Sequence, residues 1–329
     1  MITALEQAEI YLLREEEASY RAGLTYEDHQ KIFDEIIYFD VASGDARPDT
    51  IKSYRSHLQQ FLAWCEKEDH APARMGKWDI KRYRKELLNQ GLAYGTVALK
   101  LTVLRRFFQG LIERDYISDN PALGVSPPRD RAPDDNIKYL TAEEVERFLA
   151  QVRKSRGLRG LRDRAMIAMM LLEGWRVVEV ARASVENINF AEEEILTRGK
   201  GKNAFIYPRR DTLILLKEYL ATRGDDIEID NLGTPLFISH SNLSFGKRMS
   251  RNGIRKVING YLKKAQLKRP GISCHALRHT CGMEIMQQTG NVKAVQLVLR
   301  HEDVSTSGKY AHLANKKTAR YSERSQISI

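Results

Sequence analysis

Six residues between Gly174 and Tyr310 are of the types that a phosphoryl-transfer site needs: Arg176, Lys200, His275, Arg278, His301 and Tyr310. Cutting a phosphodiester takes a nucleophile, positive groups for the charge that grows on two non-bridging oxygens, and a proton for the leaving oxygen. Guanidinium groups suit the second task, because a rigid fork binds phosphate oxygens and stays charged at any working pH. Arg176 comes directly off an apolar helix and a glycine in LLEGWRVVEV, where an unpaired charge would be costly. Arg278 shares HALRH with His275, and the i, i+3 spacing points the two from one helix face. Tyr310 closes HEDVSTSGKY, nine residues after His301. A phenol with its ordinary pKa of about 10 attacks at neutral pH only in a strongly positive setting.

Ordinary readings compete at several of these positions. His275 and His279 are four apart, the spacing of a zinc pair, with Cys274 and Cys281 flanking them. Against zinc, Ala276 stands where a zinc protease has its glutamate, and the two cysteines are seven apart. Lys200 and Lys202 sit in TRGKGKN between two strand-like runs, the pattern of an exposed hairpin. The phosphate-loop pattern GxxxxGK[ST] is missing, which argues against nucleoside triphosphate binding. A tyrosine near a C-terminus is commonly an amphipathic surface residue, and Tyr321 is the local example.

The elements that must position these side chains can be read from periodicity and punctuation. Ala165 to Leu172 is apolar on every side, which predicts a buried helix at the centre of a domain, with Met166, Met169 and Met170 as core filler. Strand-like runs at 193–198 and 203–207 flank the GKGK turn. Amphipathic helices are expected over 211–222 and 244–266, then a helix at HALRH and a last stretch through Tyr310. Thr141 and Glu144 form a capping box that opens the domain's first helix.

Upstream, a small helical domain is expected over 43–128. Ile51, Tyr54, Leu58, Phe61 and Cys65 mark one stripe, and Val97, Leu101, Leu104, Phe108 and Leu111 another, with a helix over 79–90 between them. Lys52, Arg55, Lys100, Arg105 and Arg106 fall off the stripes and are expected on outer surfaces. The prolines of ISDNPALGVSPP stop helical structure. Residues 129–139 (RDRAPDDNIKY) read as a linker, and residues 1–42 as an acidic helical extension closed by ASGDARPDT.

Composition narrows the partner. The 329-residue chain carries a net charge of +10 and a pI of about 9.4, which favours a polyanion. Residues 1–45 hold 11 acidic and 3 basic side chains, so the remainder bears a net +18. The extension is therefore expected to meet protein and not DNA. No run of 18 apolar residues occurs, and MITALEQAEIYLLREEE is too acidic for a signal peptide, so a soluble, cytoplasmic, nucleoid-associated protein with no membrane partner is expected. Cys65, Cys274 and Cys281 are too few for a disulfide framework and read as reduced thiols.

The order and spacing of the six residues resemble the tyrosine recombinase family, the phage-integrase and Xer-type enzymes. The resemblance also covers the Thr96-Val97 helix start and the Asn120-Pro121 exit, and it implies that Lys52, Arg55, Lys100, Arg105 and Arg106 face DNA. It implies an all-α SAM-like core-binding domain (43–128) and an α+β catalytic domain, mainly α with a small sheet (140–310). The two would close on DNA as a C-shaped clamp. A tail at 311–329, with Lys316, Lys317 and Arg320, would dock on a neighbouring protomer. It implies that Arg176 and Arg278 clamp the scissile phosphate and that Lys200, 24 residues after Arg176, is the general acid for the 5′-oxygen. Lys202 is a substitute for that role or a DNA contact. His275 faces the phosphate with Arg278, His301 binds it and helps orient the nucleophile, and Glu179 orients the cluster. His279 is left to packing or support.

Tyr310 would then form a 3′-phosphotyrosine without metal or high-energy cofactor. Strands would exchange between two double-stranded sites in a tetramer of this chain, through a Holliday junction, with accessory proteins as further possible partners. Departures from the family pattern are Arg300 where a glycine usually precedes the histidine, Trp175 where leucine is common, and STSGKY without the usual paired threonines. Two other readings stay open: a type IB topoisomerase, marked by relaxation of any supercoiled plasmid, and a non-catalytic DNA-binding relative, marked by the absence of a covalent adduct.

Overall fold

The computed structural model describes residues 24–44, 46–128, 137–198, 203–225, 227–301 and 303–317. The chain divides into two compact units, Met1–Arg131 and Ala132–Ile329.

The first unit is all helical: α1 (Tyr26–Phe39), α2 (Pro48–Lys67), α3 (Lys77–Asn89) and α4 (Tyr94–Ile112). Thr25 and Asp28 cap α1 reciprocally, the Thr25 hydroxyl receiving the Asp28 N–H and the Asp28 carboxylate receiving the Thr25 N–H at 2.8 Å. Proline at the first turn opens α2, where the missing N–H costs nothing. Phe61 of α2 sits at the centre of an aromatic cluster, with Tyr83, Phe108 and Phe107 at ring separations of 5.1, 6.0 and 6.4 Å.

The segment expected as a separate acidic extension supplies a helix to this core. Ile32, Phe33, Ile36 and Ile37 of α1 are buried with Leu58, Phe61, Leu104 and Phe107. Contact with α4 is close because residue 110 is glycine: a Cβ there would lie 2.0 Å from Ile36 Cδ1. Glutamates and aspartates decorate the outer face of α1 and mask an apolar stripe that is complete.

Helix α4 is buried on more than its expected stripe, because α1, α2 and α3 all pack against it. Val103 and Phe107 are interior as well. This corrects two DNA-facing expectations. Lys100 is only 3% exposed and donates to the Gln60 side chain, and burial lowers its pKa. Arg105 is half-buried and holds the exit segment, donating to the carbonyls of Ala122 and Val125, while Asn120 Nδ2 donates to the Arg105 carbonyl. Lys52 and Arg106 are exposed. Arg55 is exposed and paired with Asp34 of α1 at 2.6 Å.

The second unit comprises α5 (Ala142–Arg153), α6 (Gly157–Leu171), α7 (Val177–Arg182), β1 (Ile188–Asn189), β2 (Glu194–Arg198), β3 (Asn203–Ile206), α8 (Arg210–Thr222), α9 (Arg251–Lys264), α10 (Cys274–Thr289), α11 (Val292–Leu299) and α12 (Val304–Lys317). The strands form one antiparallel sheet in the order β1-β2-β3, with Ile195 opposite Ile206 and Arg198 opposite Asn203. The small sheet beside many helices is the fold class expected. Helix α6 runs through the centre, with Ala165 to Leu171 buried and α5, α7, α8 and α10 against it. Its one buried ion pair is fully satisfied: Arg162 donates twice to Asp163 Oδ1, and Tyr261 Oη donates to Asp163 Oδ2 at 2.8 Å. The expected helix over 244–266 begins only at Arg251, after an irregular, serine-rich stretch. The helix that carries Tyr310 continues to Lys317, and Ala311, Leu313 and Ala314 pack on their own unit, so the expected tail begins as part of this helix. Arg320 and Tyr321 lie outside the described residues, as do the side chains of Lys316 and Lys317. Among the described residues no helix is long and apolar enough to cross a membrane.

Phe33→Ala should therefore destabilise the N-terminal unit by about 3 kcal/mol or more, the usual loss for a buried phenylalanine. Thermal unfolding would register a downward shift on the order of 10 °C for a domain of this size; an unchanged midpoint would mean that α1 is not part of this core.

Candidate active site

Residues 173–176 turn the chain from the central helix into α7, and each is fixed by a different interaction. Glu173 Oε1 accepts from the Arg209 N–H and the Thr212 hydroxyl, which ties this turn to the start of α8. Gly174 takes a left-handed conformation (φ +62°), where a side chain would be strained and a Cβ would lie 2.5 Å from Leu299 Cδ2. Trp175 is buried, and its backbone N–H donates to the Met169 carbonyl. Arg176 is the N-cap residue of α7, and Glu179 receives both its backbone N–H and its Nη1 at 2.8 Å.

Helix α10 brings His275, Arg278 and His279 to this turn. Arg278 is 4% exposed, so its charge has to be met inside the protein. It donates through Nη1 to the Gly174 carbonyl and through Nη2 to the Leu299 carbonyl. Burial, and after it the Arg176 charge, lower its pKa. These two bonds use part of the guanidinium's five-donor fork. His275 stands on the first turn of α10; partial desolvation, then the charges of Arg255, Arg278 and Arg176, hold its imidazole below the ordinary range.

Arg300 follows α11 in a left-handed conformation (φ 52°, ψ 50°). Any L-residue with a side chain is strained there, by roughly 1–2 kcal/mol. Its guanidinium offsets this by donating to the carbonyls of Val298, Glu173 and Gly174 and to Glu179 Oε2 at 2.9 Å. It also lies 5.8 Å over the Trp175 ring, so two departures from the family pattern touch each other. Burial works to raise the Glu179 carboxyl, but Arg300 and Arg176 outweigh it and hold the pKa below the ordinary value.

Tyr310 is 1% exposed. Burial pushes its phenol up to about 12, although Arg278 and Arg176 pull the other way. Its Oη lies 2.8 Å from Nδ1 of His279, the histidine that sequence reasoning left to packing. His301 instead stacks on the Tyr310 ring at 6.3 Å and 23°, with its Nδ1 2.8 Å from the buried Ser307 Oγ. Burial, and the neighbouring positive groups, hold both imidazoles near 4, so both are neutral at neutral pH. The one sequence signal for His279 was its position one turn after His275, on the face that also carries Arg278.

Arg176, His275, Arg278, His301 and Tyr310 are thus gathered in one place, with His279, Arg300 and Ser307 added. Lys200 and Lys202 lie outside the described residues. Arg176, Arg278 and Arg300 face Glu179, and the histidines add no charge. The surplus is positive and suits an anion, with the Tyr310 hydroxyl and a neutral imidazole beside it.

Residues 138–317 match the phage integrase family, and residues 40–118 match the phage integrase N-terminal SAM-like domain. The chain is similar to the tyrosine recombinase XerD of Pasteurella multocida, 27% identical over 277 residues that cover 84% of this chain and 91% of that protein. It is also similar to XerC of Thermodesulfovibrio yellowstonii, 28% identical over 289 residues, covering 84% and 89%. Among solved structures, it shares its fold with XerH site-specific recombinase in a post-cleavage complex with difH substrate, with a TM-score of 0.72, 20% identity, and coverage of 91% and 84%.

Gly282, one turn after His279, makes room for the Tyr310 ring: a Cβ there would lie 2.7 and 2.8 Å from Tyr310 Cε1 and Cζ. Gly282→Ala should displace the phenol and slow any reaction at Tyr310 by at least about tenfold, as misplaced reacting groups do. Alanine favours the helix itself, but its Cβ would also lie 2.6 Å from the buried Leu299 Cδ1, so overpacking should lower the melting temperature by several degrees without unfolding the unit. Single-turnover kinetics beside a melting curve test this, and a wild-type rate would show that the seat is not tight.

Proposed function

Because the chain belongs to the phage integrase family, we propose that it is a site-specific DNA recombinase in which the Tyr310 phenol is the nucleophile. The observation that carries this reading is the packing of Tyr310 between two imidazoles, within electrostatic reach of Arg176 and Arg278. In the proposed reaction Tyr310 Oη attacks a DNA phosphorus, and a 3′-phosphotyrosine forms as the bond to the 5′-oxygen breaks. Arg176 and the free donors of Arg278 take the non-bridging oxygens, where charge grows in the transition state. His275 and His301 add neutral contacts to the same phosphate, and Glu179 with Arg300 holds Arg176 in place. Lys200 supplies the proton for the departing 5′-oxygen.

No external energy source is needed, because the covalent link keeps the phosphodiester's energy. A 5′-hydroxyl from a partner duplex reverses the step, and two rounds separated by a Holliday junction exchange strands between two sites in a tetramer. The helical N-terminal unit and the catalytic unit each contact the duplex, with Lys52, Arg106 and Lys202 among the phosphate contacts. Affinity then falls steeply with salt, as counterion release requires.

Incubation with nicked DNA from the region flanking the coding sequence, followed by denaturing separation, tests the assignment. Wild type should give a protease-sensitive protein–DNA adduct and Tyr310→Phe none. An adduct that persists in Tyr310→Phe would move the nucleophile elsewhere. No adduct from either protein would favour a non-catalytic relative, and relaxation of any supercoiled plasmid a topoisomerase.

A further inference from the structure

The phenol of Tyr310 has to lose a proton to attack phosphorus, and the groups around it differ in their ability to accept one. Glu179 is occupied by Arg176 and Arg300. His301 presents its ring face to the tyrosine, and its Nδ1 is turned to Ser307. His275 sits a full turn nearer the start of α10. His279 alone among these places a ring nitrogen, Nδ1, 2.8 Å from Oη, with its ring 6.1 Å from the tyrosine ring and tilted by 46°. In the arrangement where Oη–H donates, the Nδ1 lone pair points at the proton and Nε2 carries the imidazole hydrogen.

Resting on the recombinase reading, we infer that His279 is the base for Tyr310, accepting the phenolic proton at Nδ1 as Oη attacks phosphorus and returning it when the DNA is resealed. The Oη–P bond forms and the P–O5′ bond breaks. The phenolic proton passes to Nδ1, leaving an imidazolium, while the 5′-oxygen is protonated by the general acid assigned to Lys200. In the reverse step the 5′-hydroxyl gives its proton back to Lys200 as the P–O5′ bond forms, the Oη–P bond breaks, and His279 returns its proton to the departing phenolate.

The setting favours this transfer only once DNA is present. Burial, then the nearby His275 and Arg278, hold the imidazole near 4, while burial pushes the phenol up to about 12. A phosphate held by Arg278 and Arg176 adds negative charge beside His279, which opposes the arginine contribution and raises its affinity for a proton. The nucleophile therefore stays protonated until the scissile phosphate is in place.

The test compares wild type, His279→Ala and His279→Asn in single-turnover adduct formation on nicked duplexes tiled across the DNA flanking the coding sequence. Melting curves and gel-shift binding control for folding and DNA affinity. His279→Ala should cleave about 100-fold or more slowly at unchanged DNA binding, within the usual range for loss of a general base. Free imidazole should restore part of that rate, and more so as the base strength of substituted imidazoles rises, which a packing role would not produce. His279→Asn, whose amide can keep a hydrogen bond to Oη but takes up no proton, should remain as slow. If His279→Ala does not fold, a slow and folded His279→Asn still supports the inference. A wild-type adduct formed equally fast by either folded variant, or faster, overturns this inference and leaves the recombinase reading standing. A wild type that forms no adduct overturns the recombinase reading and this inference with it.

Discussion

A guanidinium at 4% exposure imposes conditions on everything around it. Arg278 meets them by donating to two carbonyls from distant parts of the chain, Gly174 after the central helix and Leu299 at the end of α11. Both carbonyls belong to turns with a left-handed residue, Gly174 itself and Arg300 immediately after Leu299. Glycine takes this conformation freely at 174, whereas the strain at Arg300 is held in place by the interactions around it. Once α6, α10 and α11 are joined through one side chain, α12 has little freedom in where it returns. It packs on α10 and α11 and delivers Tyr310 against the same arginine. The backbone geometry of the site thus follows from one desolvated charge.

The second constraint is the charge surplus. Glu179 shares its oxygens between Arg176 and Arg300, while Arg278 relies on carbonyl dipoles alone. With neutral imidazoles around them, this group carries a net positive charge that favours an anion. Arg300 is the clearest case of sequence and geometry pulling in different directions. Glycine would relieve the left-handed strain, whereas arginine reinforces Glu179 and two turn carbonyls at once. The arginine therefore stiffens the mounting of Arg176 and adds to the positive field in the same substitution.

Much of this was legible in the sequence because the informative residues lie close together along the chain. The buried central helix, the two-strand hairpin and the Thr141–Glu144 capping box each depend on local periodicity or a local cap, and each formed where its residues predicted. What failed depended on tertiary contacts. The α1 stripe was hidden by acidic side chains on its outer face, and its partner is a glycine at position 110 whose role is invisible without the crossing. Lys100 and Arg105 were off one apolar stripe, yet α4 is wrapped by three helices and offers little outer surface. His279 could not be separated from a packing residue, because its partner Tyr310 arrives from 31 positions away.

The position of Tyr310 follows from the same logic. Burial pushes the Tyr310 phenol up to about 12, so the pull of Arg278 and Arg176 does not offset its desolvation. Its ring is fixed by Gly282 on one side and the His301 ring on another, and its hydroxyl by His279. Each of those contacts comes from α10 or from the turn that Arg278 anchors. Arg278 is thus also the residue that organises the seat of Tyr310. An anion held by Arg278 and Arg176 would oppose their charge at His279 and Tyr310 as well, because one guanidinium lies against both groups.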